Sequence, residues 1–358
     1  MIFMVLILAP VSTAAASDTT PAAAPPDSLP STVVAIVPFA NHAGPQAATD
    51  SLVSLIQQRL VRAAVRVIDP AALRETLRRH RIRTAGAISR EDAARIGQER
   101  QIDYLLLGSI DIYIEGSVPE AGFSVRLVRV DDMQVVWARS DAASGEDFAG
   151  LLGIGRITVM RVLLSKLVEQ TFAGIDAVLQ PAGSASALPA GLIYAIVPFD
   201  DSSPQAKAGD IVSGLVLSEL VREGRRVVEP GMVRELFRRN NLITHGEIDL
   251  SLLTQLRDSL GVDRVITGCV DRFQPATTGA EWSRPEVALG GRCLDAGTGR
   301  ILSAFEDARN GGDSESILRL GGYHSLGRLA WTAVQVMMKN LNDEKSWSDA
   351  PSRDKRPR

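Results

Sequence analysis

Apolar positions along the chain fall into three kinds of pattern, and the same succession is met twice. Val33 to Phe39, VVAIVPF, is an unbroken apolar run ended by proline, as expected of a strand buried on both faces of a helix-covered sheet. The stretch LVSLIQQRLVRA has helical spacing and follows Asp50, which is placed to cap that helix by accepting from a first-turn amide. A short strand, VRVID, leads to Pro70, where the missing amide hydrogen of a first helical turn costs nothing, and then to the helix ALRETLRRH. Another short helix, REDAARIGQERQ, precedes the strand YLLLGSIDIYI. The alternation in FSVRLVRVDDMQVVWA predicts an antiparallel hairpin with one wetter face. An amphipathic helix from Ile157 to Phe172 completes a β-α-β-α-α-β-β-β-α unit.

The unit then recurs. IYAIVPF, Ile193 to Phe199, repeats the opening strand, and Asp210, Pro230, Arg234, Glu235, Gly246, Asp263, Gly268 and Asp271 repeat Asp50, Pro70, Arg74, Glu75, Gly86, Asp103, Gly108 and Asp111 without a gap. Beyond Asp111 the match drifts, setting Val130 against Leu294 and Gly155-Arg156 against Gly327-Arg328; a helix from Leu329 to Leu341 closes the second unit. The fold class that follows is α/β: two tandem β-α-β-α-α-β-β-β-α domains, each a mixed sheet with packed helices, over residues 32–179 and 190–341. Residues 180–189, QPAGSASALP, read as the linker between them.

The ends carry a different composition. Residues 1–16 hold an apolar run from Ile2 to Leu8 and then small residues, with Ala14 and Ala16 in an A-x-A cleavage pattern; this reads as a signal peptide, too short to span a bilayer. Residues 17–31 form a Pro- and Ala-rich tether, and residues 342–358 a polar tail, neither able to bury enough apolar surface to order itself. No cysteine precedes Cys269, so the lipid-bearing cysteine of a bacterial lipoprotein is not expected. The mature chain is therefore expected in the periplasm or outside the cell, without a transmembrane segment. With 39 Lys and Arg against 42 Asp and Glu, the net charge of -3 provides no overall field to gather nucleic acid or anionic lipid.

At AIVPF, followed by LRETLRR or VRELFRR, the Gly86 or Gly246 turn, DYLLLGSI or DRVITGCV, and the hairpin turn DAGTGRIL, the sequence resembles a known family. That family includes the curli secretion protein CsgG, the penicillin-binding-protein activator lipoprotein LpoB, the flagellar protein FlgO and the TolB amino-terminal domain. The resemblance covers both copies and implies fold and envelope location better than activity, because its motifs are structural. It departs from CsgG in one respect: the segment from Asp111 to the closing helix leaves no room for membrane-spanning hairpins, whose strands need about ten residues each.

Candidate chemistry is sparse. His42, His80, His245 and His324 lack metal-ligand spacing, GIGRIT from Gly153 has no following Lys to make it a phosphate loop, and no G-x-S-x-G elbow occurs. No cofactor is expected. Cys269 and Cys293 belong to the second copy alone; they form a disulfide if their strands pair in register and remain two small thiols if the register slips. Arg74, Arg78 and Arg79, with Arg234, Arg238 and Arg239, are open to two readings: a solvated helix face paired with neighbouring glutamates, or a basic patch for an anionic envelope partner. Nucleic acid is not expected, since no aromatic platform accompanies the arginines. The expectation is an exported, non-catalytic accessory protein that binds an envelope protein or peptidoglycan. The rivals are a subunit of a curli-like or flagellum-associated secretion or assembly complex, and an unrecognised hydrolase.

Overall fold

The computed structural model describes residues 32–63, 65–83, 86–150, 153–179, 191–205, 207–240, 248–277, 283–313 and 322–342. The expected signal peptide, tether and linker, the tail beyond residue 342, and His245 and Gly246 lie outside the described residues.

The first copy runs β1 (Val33–Ile36), β2 (Ala40–Asn41), α1 (Gln46–Arg62), β3 (Arg66–Val67), α2 (Pro70–Arg79), α3 (Arg90–Arg100), β4 (Tyr104–Ile114), β5 (Glu120–Arg129), β6 (Val135–Ser144), α4 (Met160–Thr171) and α5 (Ile175–Val178). The second runs β7 (Ile193–Ile196), β8 (Asp200–Asp201), α6 (Ala208–Arg222), β9 (Arg226–Val227), α7 (Pro230–Arg239), α8 (Leu250–Leu260), β10 (Arg264–Gln274), β11 (Glu286–Asp295), β12 (Ile301–Asn310) and α9 (Leu326–Asn342). The two sheets match: β3-β1-β4-β5-β6, and β9-β7-β10-β11-β12, with β2 and β8 pairing beside β4 and β10. The central strands are parallel where the opening run enters the sheet and antiparallel through the hairpin. Two tandem α/β domains are thus present, in the expected order apart from the two-residue strands β2 and β8 and the short α5.

Three expectations need correction. Asp50 is not a cap, because α1 begins a turn earlier, behind Pro45; Asp210 likewise sits inside the first turn of α6. Asp69 and Glu229, before Pro70 and Pro230, do hold first-turn amides, as do Ser89 before α3 and Asp249 before α8. The register after β4 is also different. Val130 and Ala296 donate to the equivalent carbonyls of Asp103 and Asp263, so Val130 corresponds to Ala296 and not to Leu294. Ile157 and Tyr323 donate to Gly145 and Gly311, which in turn donate to Pro119 and Pro285. Gly155 therefore lies in the loop before α4 while Gly327 lies within α9, and they are not counterparts. A single longer connection between β10 and β11 accounts for the whole shift.

In the first copy, alternate strand residues such as Val34, Ile36, Leu106 and Phe123 pack on α1 and α4. The opposite positions, Ala35, Leu105 and Leu107, pack on α2 and α3. The second copy repeats this, with Ala195, Val197 and Val265 under α7 and α8. Its α6 and α9 cover the other sheet face and also rest on β5 and β6 of the first copy, merging both copies into one apolar cluster. The order through the molecule is helices, sheet, shared helices, sheet, helices.

Candidate functional site at the seam between the copies

The seam is built because α6 is apolar on both sides. Where α1 exposes Ser51 and Gln58 and half-buries Gln57, α6 carries Ile211, Ser218 and Leu217, all buried. The first copy receives it with small residues, Gly122, Ser124, Ala138, Ser140 and Ala142, on one face of β5 and β6. Ser140 and Ser218 hydroxyls meet at 2.6 Å. Gly327 in α9 lies so close to Ala142 that a β-carbon there would be 2.3 Å from the alanine methyl, which is why glycine is needed at this crossing.

Polar groups fix the seam at both ends. Arg126 reaches the buried Glu229 carboxylate twice, at 2.5 and 2.6 Å, and also donates to the Gly86 carbonyl at 2.7 Å. Glu120 accepts from Ser325 Oγ at 3.0 Å and from the amides of Leu326 and Gly327 at 2.6 and 3.4 Å, capping α9 from the other copy. Burial pushes the Glu120 carboxyl up to about 7 despite those donors, and the nearby Asp147 adds to the rise.

Between these anchors lies a cavity of about 400 Å³, walled by both copies. Phe123 and Phe148 line it from one side, Ile211, Leu215 and Trp331 from the other. Its charged groups are Asp111, Asp141, Asp147 and Arg328. Arg328 pairs with Asp147 at 3.2 Å. Asp141 accepts only from the Ala142 amide at 2.9 Å and Thr171 Oγ1 at 3.3 Å, and among the described residues no cation lies within ion-pair distance of it. Burial raises the Asp141 carboxyl above the usual range, with Ala142, Thr171 and the more distant Arg328 opposing. Asp111 sits at a bulge in β4 that turns it onto the seam, where Ser109, Ser124 and His42 surround it. Both serine hydroxyls donate to Asp111 and neither addresses the imidazole, so the trio does not form a nucleophile activated by a base.

The residues singled out by sequence lie elsewhere. Arg78 pairs with Glu75, Arg79 with Glu99, Arg234 with Asp210, and Arg238 and Arg239 with Glu235. Hydrogen bonds from Arg238 and Arg239 hold the Glu235 carboxyl down to about 2. Arg239 also approaches Glu91 of the first copy at 3.4 Å, and Arg74 is exposed on α2. Five of these six arginines therefore sit in ion pairs, as on an ordinary solvated helix face. Cys269 is opposite Gly290 and Cys293 opposite Ile266, three positions apart along β10, so the thiols face opposite sides of the sheet and form no disulfide with each other. Gly153 and Gly155 take left-handed turns before α4, and Arg156 folds back on Glu146 at 2.8 Å. Among the described residues no group of three or more His, Cys, Asp or Glu is arranged to hold a metal ion.

No family model matches the chain, and no curated protein matches it. Solved structures do. A PelC dodecamer from Paraburkholderia phytofirmans is 15% identical with a TM-score of 0.28, covering 42% of this chain and 89% of its own. A lipoprotein from Neisseria meningitidis is 20% identical with a TM-score of 0.31, covering 42% and 99%. The LpoB C-terminal domain from Salmonella enterica is 13% identical with a TM-score of 0.27, covering 38% and 91%. The likeness is one of fold and is loose; the activity of this chain rests on its own residues.

The seam residues escaped the sequence pattern because they come from elements of both copies, chiefly β5 and β6 of the first and α6 and α9 of the second. One signal was present: IVSGLVLSELVRE is apolar all round where LVSLIQQRLVRA is amphipathic, and a helix apolar on every side is covered on every side.

Proposed function

We propose that the chain is exported to the cell envelope and serves there as a non-catalytic accessory protein, binding a partner protein through the cavity between its copies. One observation carries this reading: Asp141 faces a cavity walled by both copies, and no cation of the described residues lies within ion-pair distance of it. Such a site takes the ammonium or guanidinium of a partner's lysine or arginine, with the apolar arm of that side chain against Phe148 and Trp331. The apolar leader and its A-x-A pattern support export.

The test is photo-crosslinking in intact cells from Gln170, which lines the cavity and is exposed, and from Arg238, which sits on the ion-paired helix face. The proposal expects a discrete envelope protein trapped from Gln170 and lost in Asp141→Asn. No adduct from Gln170, or one that persists undiminished in Asp141→Asn, contradicts it.

A further inference from the structure

The cavity between the copies carries an excess of acid. Asp111, Asp141 and Asp147 line it with Arg328 as the basic lining residue, and Lys166 lies over the ring of Phe148 at 4.3 Å. Arg328 is taken by Asp147 at 3.2 Å, while Asp141 has the Ala142 amide and the Thr171 hydroxyl. Gln170 and Arg328, both in the cavity wall, are exposed, so the cavity opens to solvent. A cation that enters meets a carboxylate without a counter-ion among the described residues. It also meets Phe148, which already seats one ammonium, and Trp331.

The segments that flank the two copies differ in what they bring to such a site. Residues 1–31 and 180–190 contain no Lys, Arg or His. Residues 353–358, RDKRPR, hold four cations, Arg353, Lys355, Arg356 and Arg358, against the single acid Asp354. Charge complementarity therefore singles out the segment that follows α9.

That segment also has the reach. Helix α9 starts at the cavity, where Gly327, Arg328 and Trp331 are part of the wall, and ends at Asn342. Asn342 is fourteen positions beyond Arg328, roughly 21 Å along a helix. Arg353 follows Asn342 by eleven residues, which span up to about 36 Å when extended, so it and the cations after it return to the cavity mouth with slack. A covalently joined segment of this reach acts at an effective concentration on the order of millimolar, so even a weak ion pair fills the site.

We propose that residues 353–358 dock in the cavity of their own chain, one of their cations against Asp141, and occupy it until a partner's lysine or arginine displaces them. The inference rests on the reading of the cavity as the partner's site and adds how that site is regulated: the chain carries its own competitor.

The test uses the full chain with a photo-crosslinking residue at Gln170. In the purified protein at micromolar concentration, irradiation should join residue 170 to a peptide from residues 343–358 of the same chain, read by mass spectrometry. The yield should fall several-fold with Asp141→Asn, and equally with Arg353→Gln, Lys355→Gln, Arg356→Gln and Arg358→Gln together, which lie outside both domains. In cells, the chain with the four glutamines should trap several-fold more of the envelope partner than the wild type. The proposal is overturned by no tail adduct, by an adduct joining two chains, by an adduct to the segment around Arg319 instead, or by a tail adduct that survives both sets of substitutions. A partner trapped equally from the wild type and the four-glutamine chain also overturns it, and leaves the partner reading standing. A tail adduct with no partner in cells keeps the tail in the cavity and removes that reading.

Discussion

Arg126 in β5 and Glu229 at the start of α7 form a two-point ion pair across the seam, with the glutamate side chain wholly buried and the arginine 13% exposed. Removing one partner leaves the other charge buried and unpaired, which is far costlier than losing both. Arg126→Met should therefore lower stability by about 3–5 kcal/mol in urea unfolding, and Arg126→Met with Glu229→Leu should recover much of the loss. Equal losses in the single and double variants would show that the pair does not hold the seam.

Gly327 and Ala142 supply a second cycle. Gly327→Ala forces a β-carbon into the alanine methyl, an overpacking that typically costs about 1–3 kcal/mol. In an Ala142→Gly background the cost should shrink, because the atom it meets is gone; thermal unfolding of the four proteins measures the coupling.

The pH dependence follows from Glu120. Its carboxyl titrates at about 7 in the folded chain against an ordinary 4.5, so the folded state binds more protons between those values. Its contribution is complete below the lower value and fades as pH rises through the upper one; Asp141, also raised by burial, acts with the same sign. Glu120→Gln keeps an acceptor for Leu326 and cannot ionise. Between pH 5 and 8 the wild type should lose about 2–3 kcal/mol relative to this variant in urea unfolding. Parallel curves would remove Glu120 from the account.

Thiol chemistry tests the second sheet. Under oxidising purification both cysteines should titrate as thiols, not as a disulfide, in denaturant. In the native chain Cys269, partly exposed, should react before the buried Cys293. That reaction should still be slow, since burial and then the neighbouring Asp271 raise the Cys269 thiol. Loss of both thiols on oxidation would mean that the strand register differs.

Much of each copy was legible in the sequence. The unbroken run at Val33, the strand from Tyr104 to Ile114 and the prolines opening α2 and α7 act through neighbours in the chain, so their pattern is enough. Asp50 misled because the two-residue strand β2 carries the chain over to β4, and α1 then starts at Gln46. The closing helices misled because a similar Gly-Arg pair falls in a loop in one copy and in α9 in the other. The seam was illegible for a deeper reason: Asp141, Arg328 and Trp331 meet only after both domains have formed and docked, and no local spacing records that.

Helices α6 and α9 belong to both cores, so the copies stand or fall together. Scanning calorimetry of the full chain measures this directly. One transition, with calorimetric and van't Hoff enthalpies equal, is the predicted result. Two separate transitions, each with the enthalpy of a single copy, would contradict it.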